Sequence, residues 1–149
     1  MYDTMVSQRN QRSFFRLDLA PPLAARMSIV KVNNNKIETG EAHVLVDNIS
    51  AGGLRFLSLL QLPVRQEIVL EFRMRLLNQQ IKALGVIVRK EEGQNGLNQY
   101  GVSFTIEEEL KSLLVRLIGE LQIKLRRGSN ITSCDFYTGD IMDYFLQHP

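Results

Sequence analysis

The segment VRQEIVLEFRMRLL alternates between apolar and charged residues more regularly than any other part of the chain. The apolar set is Ile68, Leu70, Phe72 and Met74, and the charged set is Glu71, Arg73 and Arg75. Successive side chains of a β-strand point to opposite faces. The pattern therefore predicts an antiparallel strand with one face buried and the other in water.

Further segments rich in β-branched and aromatic residues predict more strands: EAHVLVDNIS, LRFLSLL, IKALGVIVRK and QYGVSFTI. Before them, Pro21-Pro22 excludes helix locally and starts an extended run. The separators are Asn33-Asn34-Asn35, Gly52-Gly53 and EEGQNGLN, whose residue types favour turns. Short strands joined by turns rather than helices predict a small β-sandwich or barrel.

The apolar period then changes to that of a helix. Leucine and isoleucine recur at helical spacing at Leu110, Leu113, Leu114, Leu117, Ile118, Leu121 and Leu125. We expect Thr105 and Glu108 to form a capping box at its start, and Gly128 to end it. The tail after Gly128 is acidic and aromatic, and its IMDYFL segment predicts a short helix that docks on the β-domain or on a partner.

Composition limits the class of protein. The chain has 149 residues, 44% of them hydrophobic and 23% charged, which suits one folded domain. The net charge of +2 is far from that of a protein whose whole surface binds DNA, so any anion recognition must be local. Cys134 is the only cysteine, which excludes an intramolecular disulfide and suits a reducing cytoplasm. No apolar stretch predicts a membrane span or a secretion signal.

Signatures of an enzyme are missing from the sequence. It contains no P-loop, no HExxH and no CxxC motif, and its histidines are His43 and His148. His43 lies within a predicted strand and is expected to be packed or solvent-facing rather than a catalytic base. We therefore expect no catalytic residues and no metal site, and interpret the chain as a binding protein.

Two short motifs suggest what is bound. The segment RNQRSFFR places Arg9, Arg12 and Arg16 around two phenylalanines with no acid among them, and Arg12 and Arg16 fit RxxxR. Downstream, NISAGG places Asn48, Ser50 and Gly53 in the pattern (D/N)xSxxG. With GVIVRK, YGVSF and the following helix, these motifs resemble the PilZ domain, the bacterial receptor module for cyclic di-GMP.

The resemblance implies a mostly β fold, a six-stranded antiparallel PilZ-type barrel with a C-terminal amphipathic helix. It divides the chain into a flexible arm (1–11), the barrel (12–106), a closing helix (107–127) and the tail (128–149). It also implies that cyclic di-GMP lies on the outer surface of the barrel, beneath the arm.

The same resemblance implies the site residues. Arg12 and Arg16 would contact phosphates and guanine, Arg9 would add a further phosphate contact, and Asn48, Ser50 and Gly53 would frame a guanine. Arginine suits this role because its planar fork binds phosphate oxygens or the guanine O6/N7 pair bidentately.

Asn48 departs from the aspartate that the family more often carries. Its amide keeps one acceptor oxygen but lacks the charge that strengthens such bonds. Asp47 is adjacent but, in a regular strand, faces the opposite side. We expect weaker or retuned binding. Arg55 and Arg89 could also reach the site, but we expect both to be solvated strand residues.

The predicted function is that of a cytoplasmic cyclic di-GMP receptor, monomeric or homodimeric, with no DNA partner. Ordering of the RxxxR arm would couple the second messenger to a protein partner, a flagellar motor part, polysaccharide synthase or regulator, in control of motility, biofilm or exopolysaccharide. Two alternatives remain: a PilZ-like adaptor that has lost nucleotide binding and docks through its tail, and a small barrel that binds single-stranded nucleic acid.

Overall fold

A closed antiparallel β-barrel forms the body of the computed structural model, which describes residues 14–149. Its strands are β1 (Leu17–Val32), β2 (Asn35–Lys36), β3 (Ala42–Ile49), β4 (Gly53–Ser58), β5 (Ile68–Leu76), β6 (Gln79–Glu92) and β7 (Asn98–Phe104). The sheet order is β2-β1-β3-β4-β7-β6-β5, and a β1–β5 pairing closes six of these strands into the barrel. This confirms the predicted fold class.

The barrel interior is filled by the apolar residues of the alternating strands. In β5, Leu70, Phe72 and Met74 are buried as the pattern predicts. Phe56 and Tyr100 stack with ring centroids 5.0 Å apart at the centre of this core. Of the charged residues predicted to face water, Arg73 is exposed, but Glu71 is only 7% exposed because Arg73 and Lys82 pair with its carboxylate.

The long strand β1 makes the closure possible because it pairs with both β3 and β5. Its pairing with β3 is interrupted between Asp18 and Leu23, the stretch that contains Pro21 and Pro22. Proline has no backbone N–H to donate, so it fits where ladder bonds are absent.

The long helix α1 (Glu108–Arg126) buries Leu114, Leu117, Ile118 and Leu121 against the barrel. The predicted capping box is wrong: the N-cap is Glu107, and no side chain caps the helix start. The predicted stop is confirmed, because Gly128 has a left-handed φ of 66° and its N–H bonds to the Leu125 carbonyl. No helix within residues 14–149 combines the length and apolar content needed to cross a membrane.

The tail packs on the outside of the barrel and ends in helix α2 (Ile141–Gln147). The Leu23–Phe136 bridge joins it to β1, and Asp135 accepts a 2.7 Å hydrogen bond from Arg75. Tyr144 and Phe145 of α2 are buried with Leu45 and Leu57 in a second cluster outside the main core. The tail therefore covers an apolar part of the outer barrel surface.

Candidate functional site

A cleft of about 560 Å³ lies on the outer surface of the barrel, across β3, β4, β7 and β6 and beside the start of α1. This volume is within the range of about 300–1,000 Å³ that is typical of small-molecule sites. Arg16, Asn48, Ser50 and Gly53 all line it. The described residues of the two sequence motifs are thus brought together at one place. Arg9 and Arg12 lie outside the described residues.

A row of directly paired positions crosses the cleft floor. Asp18 of β1 pairs with Asn48 of β3, Asn48 with Arg55 of β4, and Arg55 with Gly101 of β7. Gly101 in turn pairs with Arg89 of β6. Directly opposite residues in an antiparallel sheet project on the same face at close spacing. The row therefore has acceptor groups at the Asp18 end and guanidinium groups at the Arg89 end.

Gly101 makes room in this row for an arginine. A Cβ at position 101 would lie 3.4 Å from Cβ of Arg89 and 3.6 Å from its Nε. Arg89 thus lies across the backbone of β7, at van der Waals distance from where a side chain at position 101 would begin. Arg89 is exposed and lines the cleft.

The loop between β3 and β4 is organised by Ser50. Ser50 is only 7% exposed, and its Oγ accepts a 3.1 Å hydrogen bond from the N–H of Gly52. Its backbone N–H donates to the Gly53 carbonyl at 2.9 Å. These bonds form a tight turn of the kind serine favours. Ser50 therefore shapes the cleft wall as well as lining it.

The glycine at position 53 is needed for a structural reason that the motif alone does not reveal. A Cβ at position 53 would overlap the carbonyl oxygen of Val102 on β7. Only glycine permits this approach of two backbones. Gly53 is required for the β4–β7 pairing whatever occupies the cleft.

Of the two adjacent phenylalanines that precede β1, one lines the cleft. Phe14 is partly buried and packs against the core, and a Cβ on Gly52 would lie 3.2 Å from its Cδ2. Phe15 is 50% exposed, so of the two phenylalanines only Phe14 packs against the barrel. Arg16, which follows, is exposed at the cleft edge.

The cleft is cationic. Its positively charged lining residues, within the part of the chain that the structure describes, are Arg16, Arg55, Arg89 and Lys111, and no carboxylate is among the described lining residues. Sequence reasoning treated Arg55 and Arg89 as solvated strand residues and did not include Lys111. The pairing of Arg89 with Gly101 is visible only in the strand register, which has an irregularity between Ile87 and Arg89.

A β-bulge changes the expected position of Asp47. Pairing between β3 and β4 shifts between Val46 and Asn48, so Asp47 has no partner on β4. Asp47 therefore does not follow the regular alternation, and its Oδ1 accepts a 2.8 Å hydrogen bond from Nε of Arg55. This bond raises the pKa of the Arg55 guanidinium.

The described histidines and the cysteine lie outside the cleft. Among residues 14–149, no cluster of His, Cys, Asp and Glu side chains could hold a metal ion. His43 stacks on His148 with ring centroids 4.0 Å apart, and burial lowers the pKa of His43. Cys134 is buried, and burial raises the pKa of its thiol.

The closed barrel, the adjoining helix and the cationic outer cleft define a class of small β-barrel ligand-binding domain. A model of the PilZ domain matches residues 10–120. The chain belongs to the PilZ domain family. No curated protein matches the chain in sequence.

Solved structures of PilZ-type proteins share this fold. The inhibitor of motility MotI/DgrA from Bacillus subtilis matches with a TM-score of 0.59 and 20% identity, over 77% of this chain and 53% of that chain. YcgR from Escherichia coli, in complex with c-di-GMP, matches with a TM-score of 0.56 and 16% identity, over 78% of this chain and 48% of that chain. The PilZ domain of YcgR from Escherichia coli, with c-di-GMP, matches with a TM-score of 0.50 and 18% identity, over 78% of this chain and 95% of that chain. The chain spans about half the length of the first two proteins.

Proposed function

We propose that this protein is a cyclic di-GMP receptor whose binding residues are Arg12, Arg16, Asn48, Ser50 and Gly53, with Arg9 as a further phosphate contact. The single observation that carries the proposal is the convergence of Arg16 with the NISAGG residues on one cationic cleft. Membership of the PilZ family and the c-di-GMP complexes of YcgR support the choice of ligand.

The chemistry of the cleft fits this ligand. Cyclic di-GMP carries two phosphodiester anions and two guanines, and arginine binds both phosphate oxygens and the guanine O6/N7 pair. Asn48 supplies an acceptor for the N–H donors on the Watson–Crick edge of guanine. Arg89 and Lys111 add positive charge on the barrel side of the ligand, whereas the charge of Arg55 is paired with Asp47.

Closure of the arm is the proposed output. Ordering of the RxxxR arm over the ligand would have an entropic cost that charge-assisted bonds to phosphate offset. The surface so formed would be recognised by a cytoplasmic partner, a flagellar motor part, polysaccharide synthase or regulator, in control of motility, biofilm or exopolysaccharide. The alternative, an adaptor that docks through its tail, is less well supported because Tyr144 and Phe145 are buried against their own barrel.

Calorimetric titration with cyclic di-GMP tests the proposal, with GTP and cyclic di-AMP as control ligands. We expect low-micromolar binding or tighter, and loss of most of it in Arg12→Ala and in Arg16→Ala. Arg116→Ala is the matched control, since Arg116 is exposed on α1 and does not line the cleft. Absence of heat and saturation at high micromolar cyclic di-GMP would overturn the proposal.

A further inference from the structure

Asp18 and Asn48 form a cross-strand pair at the edge of the cleft. They are direct partners in the β1–β3 register, and Oδ1 of Asp18 accepts a 2.7 Å hydrogen bond from Nδ2 of Asn48. Asp18 is the last residue of β1 paired with β3 before the interruption at the proline pair. Because the contact follows from backbone pairing, the two side chains are held together by the fold itself.

This bond decides which atom Asn48 offers to the cleft. An asparagine amide has a donor side and an acceptor side, and rotation about its last bond exchanges them. A carboxylate accepts hydrogen bonds and has none to donate, so Asp18 can hold only the NH₂ side. Oδ1 of Asn48 is then left for the cleft that this residue lines, and it makes no hydrogen bond to any described residue.

The neighbouring acid, Asp47, does not perform this task. Its carboxylate is held by Nε of Arg55 at 2.8 Å, with 21% of its side chain exposed. Asp47 neutralises an arginine, whereas Asp18 orients an amide. The two acids next to the NISAGG motif therefore have different roles.

We propose that Asp18 is a positioning residue that fixes the Asn48 amide with its oxygen toward the cleft and so makes the site select guanine over adenine. This inference rests on the proposed function. Guanine presents two adjacent donors, N1–H and N2–H₂, on its Watson–Crick edge, whereas adenine presents an acceptor at N1 and a donor only at N6–H₂. An amide that cannot turn accepts from guanine and repels adenine N1, as an aspartate at position 48 would.

The experiment compares cyclic di-GMP with cyclic di-AMP, which share the same phosphates, on the full chain. In Asp18→Asn the partner at position 18 can accept or donate, so the Asn48 amide can turn. We expect affinity for cyclic di-GMP to fall about tenfold and the preference over cyclic di-AMP to fall with it. The exchanged pair, Asp18→Asn with Asn48→Asp, restores a carboxylate acceptor at position 48 and should recover both.

The ligand-free protein gives a second measurement. By NMR, the hydrogen-bonded side-chain amide proton of Asn48 should shift upfield in Asp18→Asn. The rest of the spectrum should remain that of a folded protein. An unchanged resonance would overturn the inference, as would an unchanged preference or failure of the exchanged pair to recover it. If the Asn48 amide proton shifts as expected in Asp18→Asn but the wild type binds no cyclic di-GMP, the proposed function and the selectivity assigned to Asp18 are both overturned, and only the hydrogen bond stands.

Discussion

Gly53 of β4 approaches the Val102 carbonyl of β7 so closely that any Cβ at position 53 would overlap it. The glycine of the NISAGG motif is therefore a requirement of strand pairing, in addition to any contact with a ligand. Loss of binding on its replacement cannot by itself be attributed to the ligand contact.

We expect Gly53→Ala to lower the free energy of unfolding by about 1–3 kcal/mol, because the new methyl forces two backbones apart. Chemical denaturation measures this change. Gly40→Ala is the matched control, since a Cβ at position 40 would meet nothing within 4 Å. Equal stability of Gly53→Ala and wild type would contradict the close approach.

The barrel side of the cleft should contribute to ligand affinity through Arg89 and Lys111. We expect Arg89→Ala and Lys111→Ala each to weaken cyclic di-GMP binding about tenfold, because a bond to a charged group contributes about 1.5–3 kcal/mol before solvent exposure reduces it. Calorimetry at constant salt measures the change. Lys124→Ala provides the control on the same helix, because Lys124 does not line the cleft. Equal losses in Lys111→Ala and Lys124→Ala would show a general charge effect instead.

Phe145 should contribute strongly to the docking of the tail helix. This side chain is 5% exposed and packs with Leu45, whereas its neighbour Leu146 is 70% exposed. We expect Phe145→Ala to destabilise docking of α2 by about 3 kcal/mol, and Leu146→Ala to change it by less than about 0.5 kcal/mol. Hydrogen exchange of residues 141–147 reports local release. Similar protection in the two variants would contradict this packing.

Alkaline pH should release the same helix. Burial raises the pKa of Tyr144 to about 12, whereas an unfolded tyrosine titrates near about 10. A raised folded pKa means that the contribution to stability is complete below about pH 10 and is lost as the pH rises through about 12. Phenolate absorbance measures the ionisation of Tyr144, and hydrogen exchange at the same pH values measures the release of α2. In Tyr144→Phe the protection of α2 should lose this alkaline step, and a step of the same size would assign it to another group.

The strand pattern and the helical stripe could be predicted from sequence because they arise from local alternation. Leu70, Phe72 and Met74 are buried as their period of two requires, and Leu114 and Leu121 follow from the helical period. The capping box predicted at Thr105 was wrong because the helix begins later than that motif requires. β7 ends at Phe104, and α1 begins at Glu108 with Glu107 as its N-cap. Local signals predict elements better than they predict the bounds of elements.

By itself, the sequence determined the kind of elements, the family and the motif residues Arg16, Asn48, Ser50 and Gly53. Only the tertiary structure decided that Asp18 holds the Asn48 amide, that a bulge gives Asp47 to Arg55, and that Arg89 lies over Gly101. These contacts depend on which residues of distant strands face each other. Register is set by packing of the whole barrel, and a shift of one residue would turn every side chain to the other face.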